Sequence, residues 1–411
     1  MLPGGYSERM PDFPFERLRR WPDVEAANLF AVDASDRLIL DEAAALLTGA
    51  AGSAGIGPDE VVVLEDHYGA ITLAAAAMLG SAPGIRVHQD ALSGEQALDR
   101  NAAELDASVP ELAGLAGAYR QVPLHSKPAG ADLLRGARLV LLQLPRSLAA
   151  LDELAGAIAR HAAADVTVIA GGRIKHMSVA MNEVLRRHFA ELAVSPARQK
   201  SRVLLATQPI RPAAADPAAG LAAVWPRSVE HADLGLTVCA HGAAFAGTTI
   251  DIGTRFLLDY LDRMKSDATT AIDLGCGTGV LAAALALRRP GLMVLATDQS
   301  AAAVASAAAT VRANGLTDRV RVRRDDALSA QPDASAELIL LNPPFHIGSS
   351  VHAGIALKLF EDAARVLRPG GELWTVWNTH LGYRPALTRI VGQTHQVARN
   401  TKFTITVSTR R

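Results

Sequence analysis

A chain of 411 residues, about half of them apolar, has material for two or three domains with sizeable cores. Its 41 basic and 42 acidic residues leave a formal charge of −1, which excludes a global field as the means of holding nucleic acid and leaves only local patches. Cys239 and Cys276 are the only cysteines, which excludes a disulfide framework and fits a reducing cytosol.

In chain order, Arg19-Arg20 is followed by Trp21-Pro22-Asp23-Val24-Glu25 and no apolar run, so it does not read as an export signal. The apolar stretch from Gly69 to Gly80 is too short to span a bilayer. A cytoplasmic protein with no membrane contact and no bound metal is expected. Val62-Val63-Leu64 reads as a buried strand, followed by Glu65-Asp66-His67-Tyr68-Gly69 and an alanine-rich helix. Asp66-His67 admits an acid–base pair, and a solvated loop is the plainer reading. Val87-His88-Gln89-Asp90 and Leu139–Gln143, the latter running into Leu144-Pro145-Arg146, mark further strand ends. The proline-rich stretch Gln208–Pro226 reads as a linker.

From about residue 270 short apolar strands alternate with helical patterns, the signature of a parallel sheet with crossover helices. Ala271–Leu274 leads into Gly275-Cys276-Gly277-Thr278-Gly279, where glycines permit a tight turn and close approach of a ligand to the backbone. Cys276 is counted with the cofactor positions of that turn, and neither its thiol nor His346 is given chemistry. The strand Met293–Thr297 ends at Asp298, whose carboxylate suits the two hydroxyls of a ribose. A third strand, around Val320–Arg323, leads to Asp325-Asp326-Ala327, placed to read an adenine amino group. The fourth, Leu338–Leu341, ends in Asn342-Pro343-Pro344-Phe345. Proline fixes its own φ and drives its predecessor out of the helical region, so the Asn342 side-chain carbonyl and the Pro343 main-chain carbonyl stand in a fixed relation. Two acceptors suit a planar group bearing NH2. Phe345 suits stacking on a base, or else packs beside the strand as a core phenylalanine. Polar residues at four successive carboxyl ends lie where open parallel sheets bind nucleoside-type ligands.

The two halves repeat one another. Residues 62–71 line up with 272–281, residues 87–90 with 295–298, and residues 139–146 with 338–345, in the same order and at an offset of about 200–210 positions. In the first copy Val63 answers Asp273, Glu65 and His67 answer Gly275 and Gly277, and Gln143, Leu144 and Arg146 answer Asn342, Pro343 and Phe345. That copy is expected to fold without the ligand and to serve substrate binding or stability.

The second half resembles class I S-adenosylmethionine-dependent methyltransferases. The resemblance assigns Asp273, Gly275, Gly277 and Gly279 to the first cofactor motif, Asp298 to the ribose and Asp326 with Ala327 to the adenine. The Asn-Pro-Pro-Phe turn then resembles that of enzymes methylating planar NH2 groups, with Asn342, Pro343, Pro344 and Phe345 as the catalytic set and Asn342 counted among the cofactor contacts as well. With its degenerate first copy, nearly the whole chain is similar to the ribosomal RNA guanine-N2 methyltransferases. Asp251-Ile252-Gly253-Thr254 resembles a further family segment, while Asn378–Tyr383, Asn400–Phe403 and the early segment Phe15–Leu40 favour the large-subunit enzyme over its small-subunit relative. The segment 245–254 is expected to fold over the methionine end of the cofactor. The resemblance implies an α/β protein of two tandem Rossmann-like methyltransferase domains: a degenerate one at 1–207, a linker at 208–226 and a catalytic one at 227–411. S-adenosylmethionine is the implied cofactor and ribosomal RNA or a ribosomal subunit the partner. RNA contact is expected from Arg312, Arg319, Arg321, Arg323 and Arg324, and from Arg186-Arg187-His188. Competing readings are methylation of adenine, of a release-factor glutamine or of a small molecule, and a non-catalytic RNA-binding protein.

Overall fold

A computed structural model describes residues 13–49, 55–125, 130–211, 224–344 and 349–411, without the side chains of 349–353. The chain divides into two compact units, Met1–Ala223 and Val224–Arg411.

The first unit runs α1 (Ala34–Thr48), β1 (Val61–Leu64), α2 (Ala70–Met78), β2 (Ile85–His88), α3 (Leu92–Ser108), β3 (Tyr119–Gln121), α4 (Ala131–Leu134), β4 (Leu139–Gln143), α5 (Leu148–His161), β5 (Thr167–Arg173), α6 (Val179–His188), β6 (Phe189–Val194) and β7 (Ser201–Pro209). The sheet order is β3-β2-β1-β4-β5-β7-β6, parallel except where β7 pairs antiparallel with β5 and β6. A central parallel strand is covered on both faces, which is why β1 is apolar at every position. Val61 and Val63 join one core cluster, and Val62 and Leu64 the cluster on the opposite face. Strand β7 continues to Pro209, so the first two residues of the expected linker belong to the sheet. Residues 212–223 of that linker lie outside the described residues.

The second unit opens with a hairpin, β8 (Arg227–His231) and β9 (Leu236–Ala240). It continues through α7 (Ile252–Leu258), β10 (Thr270–Leu274), α8 (Val280–Arg288), β11 (Met293–Asp298), α9 (Ala301–Ala313), β12 (Val320–Arg324), β13 (Ala336–Leu341), α10 (Ser349–Val366), β14 (Leu367–Asn378), α11 (Arg384–Ile390), β15 (Gly392–Arg399) and β16 (Phe403–Arg410). Its sheet order, β12-β11-β10-β13-β14-β16-β15, is that of the first unit strand for strand. Ser306, Thr310 and Asn314, spaced four apart along α9, accept from the backbone N–H groups of His241, Cys239 and Thr237. Side chains on one helix face thereby replace a neighbouring strand for β9.

The pairing registers extend the repeat. Ile272 lies against Ile339 as Val62 lies against Val140, so the first and third repeated segments correspond as the sequence aligned them. The second is displaced by one residue. Leu64 pairs with His88 and Leu274 with Thr297, which sets Gln89, and not Asp90, opposite Asp298. Matching acid to acid misled the alignment, because backbone pairing decides which residue emerges at the strand end.

Asp66 is corrected as well. It is 1 % exposed, and its two carboxylate oxygens accept from the N–H groups of Ile71 (2.8 Å) and Thr72 (2.7 Å) in the first turn of α2. In the second unit Asp273 accepts from Ala282 in the first turn of α8 (2.9 Å). Ala282 is the counterpart of Thr72, so the helix keeps a carboxylate at its N-terminus while the acid has moved from the strand into the turn. Orphan N–H groups there demand an acceptor, and the positive helix end favours a charged one. Asp66 is thus a buried helix cap, neither half of an acid–base pair nor a solvated loop residue.

Candidate active site

The carboxyl ends of β12, β11, β10 and β13 stand side by side and, at ordinary strand spacing, span about 14 Å. From β10 the backbone turns through Gly275, Gly277 and Gly279, with φ of 70°, 53° and 76°. A Cβ at Gly275 or Gly277 would meet nothing within 4 Å, so the turn borders open space. Gly279 differs. A Cβ there would stand 3.0 Å from the Ala307 Cβ, so its glycine serves the packing of α8 against α9. In the first unit the same three positions keep the left-handed backbone, but with side chains: Glu65 at 59°, His67 at 61° and Gly69 at 97°. Each non-glycine residue in that region costs roughly 1–2 kcal/mol. The fold preserves the turn and fills the space that the second unit leaves open.

Asp273 is 1 % exposed, and while Oδ2 caps α8 its Oδ1 has no partner. Burial, reinforced by the nearby Asp298 charge, pushes its carboxyl up to about 7. Asp298 Oδ2 accepts from the Gly277 N–H (2.9 Å) and its Oδ1 from the Ser300 N–H (3.0 Å), which holds the carboxylate at the mouth of the turn. Asp326 meets Lys358 of α10 (Oδ2–Nζ 2.5 Å), while the adjacent Asp325 is buried and accepts from Ser329 and Ala330. Ala327 adopts φ 57° between them and the rest of the loop. Burial, with Asp298 and Asp273 alongside, pushes the Cys276 thiol well up, so it stays protonated and unreactive.

On β13, Asn342 is half-buried, Pro343 buried and Pro344 exposed. Phe345 and His346 lie outside the described residues. The Asn342 amide nitrogen donates to Asp251 Oδ2 (3.1 Å) and Thr254 Oγ1 (3.0 Å), and its Oδ1 is buried with no partner among the described residues. Asp251 also caps α7, accepting from Gly253 and Thr254 N–H groups. These contacts were missed from sequence, where residues 245–254 were expected over the cofactor. An aspartate ahead of Gly253 and Thr254 is a signal for a helix cap, but nothing local shows that it reaches a strand end 91 residues away. In the first unit Gln143 occupies the Asn342 position, and its amide nitrogen donates to Asp36 Oδ1 (2.5 Å) and Ser35 Oγ (3.0 Å) at the start of α1. Its oxygen is also engaged, 3.3 Å from Ser35 Oγ. In one copy the amide oxygen is unpaired, and in the other it lies against a hydroxyl that also meets Asp33.

The basic clusters divide likewise. Arg319 and Arg324 donate to the Ala286 and Gln299 carbonyls, which leaves Arg321 and Arg323 exposed on alternate positions of edge strand β12, with Arg312 exposed on α9. His188 and Arg187 both face Asp152.

Buried orphan oxygens on Asp273 and Asn342, a turn open at Gly275 and Gly277, and a carboxylate at a neighbouring strand end form a donor set that fits a cationic nucleoside cofactor and an NH2-bearing acceptor.

Two family descriptions match the chain: the methyltransferase small domain over residues 235–407 and the RLMG N-terminal domain over residues 10–210. The ribosomal RNA large subunit methyltransferase G of Streptomyces avermitilis is 34% identical, covering 98% of this chain and 96% of that protein. That of Pseudomonas aeruginosa is 33% identical over 96% of this chain and 99% of its own length. Among solved structures, a T. thermophilus 16S rRNA N2 methyltransferase in complex with AdoMet and guanosine superposes with a TM-score of 0.64 at 20% identity, over 90% of this chain and 92% of that one. That likeness establishes the fold: two Rossmann-like domains in tandem.

Proposed function

The chain belongs to the ribosomal RNA large subunit methyltransferase G family, and we propose that it transfers a methyl group from S-adenosylmethionine to the exocyclic N2 of a guanine in large-subunit ribosomal RNA. The observation that carries this reading is the unpaired Asn342 Oδ1, at the strand end beside an intact cofactor turn. Full-length identity of 33–34% to large-subunit relatives, against 20% to the small-subunit neighbour, supports the choice of subunit. A ribosomal RNA substrate places the protein in the cytoplasm. Among the described residues no helix is long and apolar enough to cross a membrane.

S-adenosylmethionine, when bound, supplies an electrophilic methyl group on a sulfonium. The turn Asp273-Leu274-Gly275-Cys276-Gly277-Thr278-Gly279 holds it, with Asp298 on the ribose and Asp326 with Ala327 at the adenine. The guanine N2 lone pair is delocalised into the ring and is a poor nucleophile. Accepting its two N–H bonds on Asn342 Oδ1 and the Pro343 carbonyl orients the nitrogen and favours the pyramidal form as positive charge develops. Pro344 stiffens the turn, and Phe345 stacks on the base. The methylated nitrogen is acidic and releases its proton to water, so no side chain acts as a strong base. A paired guanine must first be unstacked, at a cost of a few kcal/mol. The first domain, which runs through Pro209, serves substrate binding or stability.

Cofactor affinity is expected to fall as pH drops through about 7, approaching tenfold per unit, because the ionised Asp273 is the form that accepts from the cofactor. The sign for stability is opposite. A carboxyl raised from 3.8 to about 7 favours the fold at low pH, and that contribution is lost as pH rises through about 7. Calorimetric titrations between pH 5.5 and 8.5 check the binding profile, which Asp273→Asn should flatten.

Arg321→Ala and Arg323→Ala are each expected to weaken RNA binding across sequences and to reduce the slope of log affinity against log salt by about 1. Filter binding at several salt concentrations measures that slope.

The proposed activity is tested by offering labelled cofactor with large subunits, small subunits, naked ribosomal RNA and a release factor in parallel. Label in large-subunit RNA, free or assembled, is expected. Label confined to small-subunit RNA or to protein would overturn the assignment.

A further inference from the structure

We infer that Asp251 and Thr254 are positioning residues that fix the polarity of the Asn342 amide, so that the site offers an oxygen, and never an NH2, to the substrate nitrogen. The inference rests on Asn342 as the acceptor proposed above, and it accounts for what makes Asn342 one. A primary amide has two orientations of nearly the same shape and opposite chemistry. With Nδ2 donating to Asp251 and Thr254, both N–H groups are satisfied and Oδ1 is left over. In the flipped orientation that oxygen would face a carboxylate, and the NH2 would oppose the NH2 of the base.

The brace is itself held in place. Asp251 Oδ2 accepts from the Gly253 N–H (2.9 Å) and the Thr254 N–H (3.2 Å) as well as from Asn342. The helix end is pressed against the sheet, since a Cβ at Gly253 would stand 3.0 Å from the Phe403 ring. Helix cap, acid and amide therefore form one fixed assembly. The first unit carries a related brace, with Gln143 donating to Ser35 and Asp36 of the first helical turn and not to the capping Asp33. A braced amide therefore occurs in both units. Only in the second unit does it leave the oxygen unpaired. The consequence is selectivity: two fixed acceptors orient an NH2 group and repel a carbonyl, so a purine carrying oxygen or hydrogen in place of the 2-amino group is not aligned.

The experiment is a polarity exchange followed by steady-state kinetics on the full chain. Asp251→Asn keeps the helix cap, because asparagine caps as well as aspartate. The capping oxygen is also the one to which Asn342 donates, so the contact survives without its charge and kcat should fall about 3–10-fold, with the cofactor KM unchanged. Asn342→Asp alone sets two carboxylates face to face and should lose activity at neutral pH. In the double exchange the new amide turns its NH2 to the new carboxylate and withdraws its oxygen from the Gly253 and Thr254 N–H groups, so activity should recover in part, above that of Asn342→Asp and below that of the parent protein. An unchanged kcat in Asp251→Asn would overturn the inference. So would a raised cofactor KM at unchanged kcat, which would assign residues 245–254 to the cofactor. A double exchange no more active than Asn342→Asp would overturn it too. Full turnover by Asn342→Ala would instead remove the acceptor assignment on which the inference stands.

Discussion

Asn342→Ala is expected to lower kcat by about 10²–10³ while cofactor affinity stays close to that of the parent protein, as judged by single-turnover kinetics and calorimetry. The side chain lost carries the unpaired oxygen, and its amide nitrogen makes only two hydrogen bonds, both to the N-terminal turn of α7. Those partners remain capped without it, because Asp251 still accepts from Gly253 and Thr254. The fold should therefore survive the change. The Pro343 carbonyl remains as the second acceptor, so turnover should be crippled and not reduced to the uncatalysed rate. Parallel loss of cofactor affinity would move Asn342 from the substrate side of the site to the cofactor side.

Gly277→His copies into the second unit the residue that the first unit carries at the same place, and it should abolish detectable cofactor binding. The backbone there has φ 53°, and His67 holds 61°, so the conformation is accessible to histidine at roughly 1–2 kcal/mol. A Cβ there would meet nothing within 4 Å, so the new side chain starts out into the open side of the turn, the volume assigned to the ligand. Denaturant unfolding should report only that small destabilisation. At Gly279 the outcome would reverse, because a side chain there collides with Ala307 and strikes the packing of α8 before it touches any ligand. Preserved binding in Gly277→His would mean that the cofactor does not lie along this turn.

Local features of the chain were sufficient for the second unit's sheet. Buried parallel strands are continuous apolar runs, and Ala271–Leu274 and Leu338–Leu341 showed as such to within two residues of their observed starts. The polar residues that end them were equally legible, since a carboxylate, an amide or a glycine turn stands out against an apolar run. Legibility ended where a residue's meaning depends on a distant partner. Asp251 was read as part of a cofactor segment because nothing in its neighbourhood points to Asn342. Asp66 looked like a solvated acid, and only the packing of α2 shows that it has taken over the capping duty held by Asp273 in the other copy. The offset between Gln89 and Asp90 could come only from the register. The arginines around 319–324 looked like one cluster, yet Arg319 and Arg324 are held by main-chain carbonyls while Arg321 and Arg323 remain exposed. Alternation along an edge strand had to be known before they could be separated.

The duplication also bears on where chemistry resides. Both copies retain the sheet order, the left-handed turn, a capped helix start and an amide braced against it. They differ in whether the turn is open and whether the amide oxygen is paired. These differences support the proposal of one methyl-transfer site per chain, in the second domain.

Mass-spectrometric identification of the nucleoside formed in large-subunit ribosomal RNA, with the parent protein and Asn342→Ala side by side, tests this account most directly. N2-methylguanosine from the parent protein and little or none from the variant is the predicted result. N6-methyladenosine or another methylated base in its place, or equal N2-methylguanosine from both proteins, would contradict it.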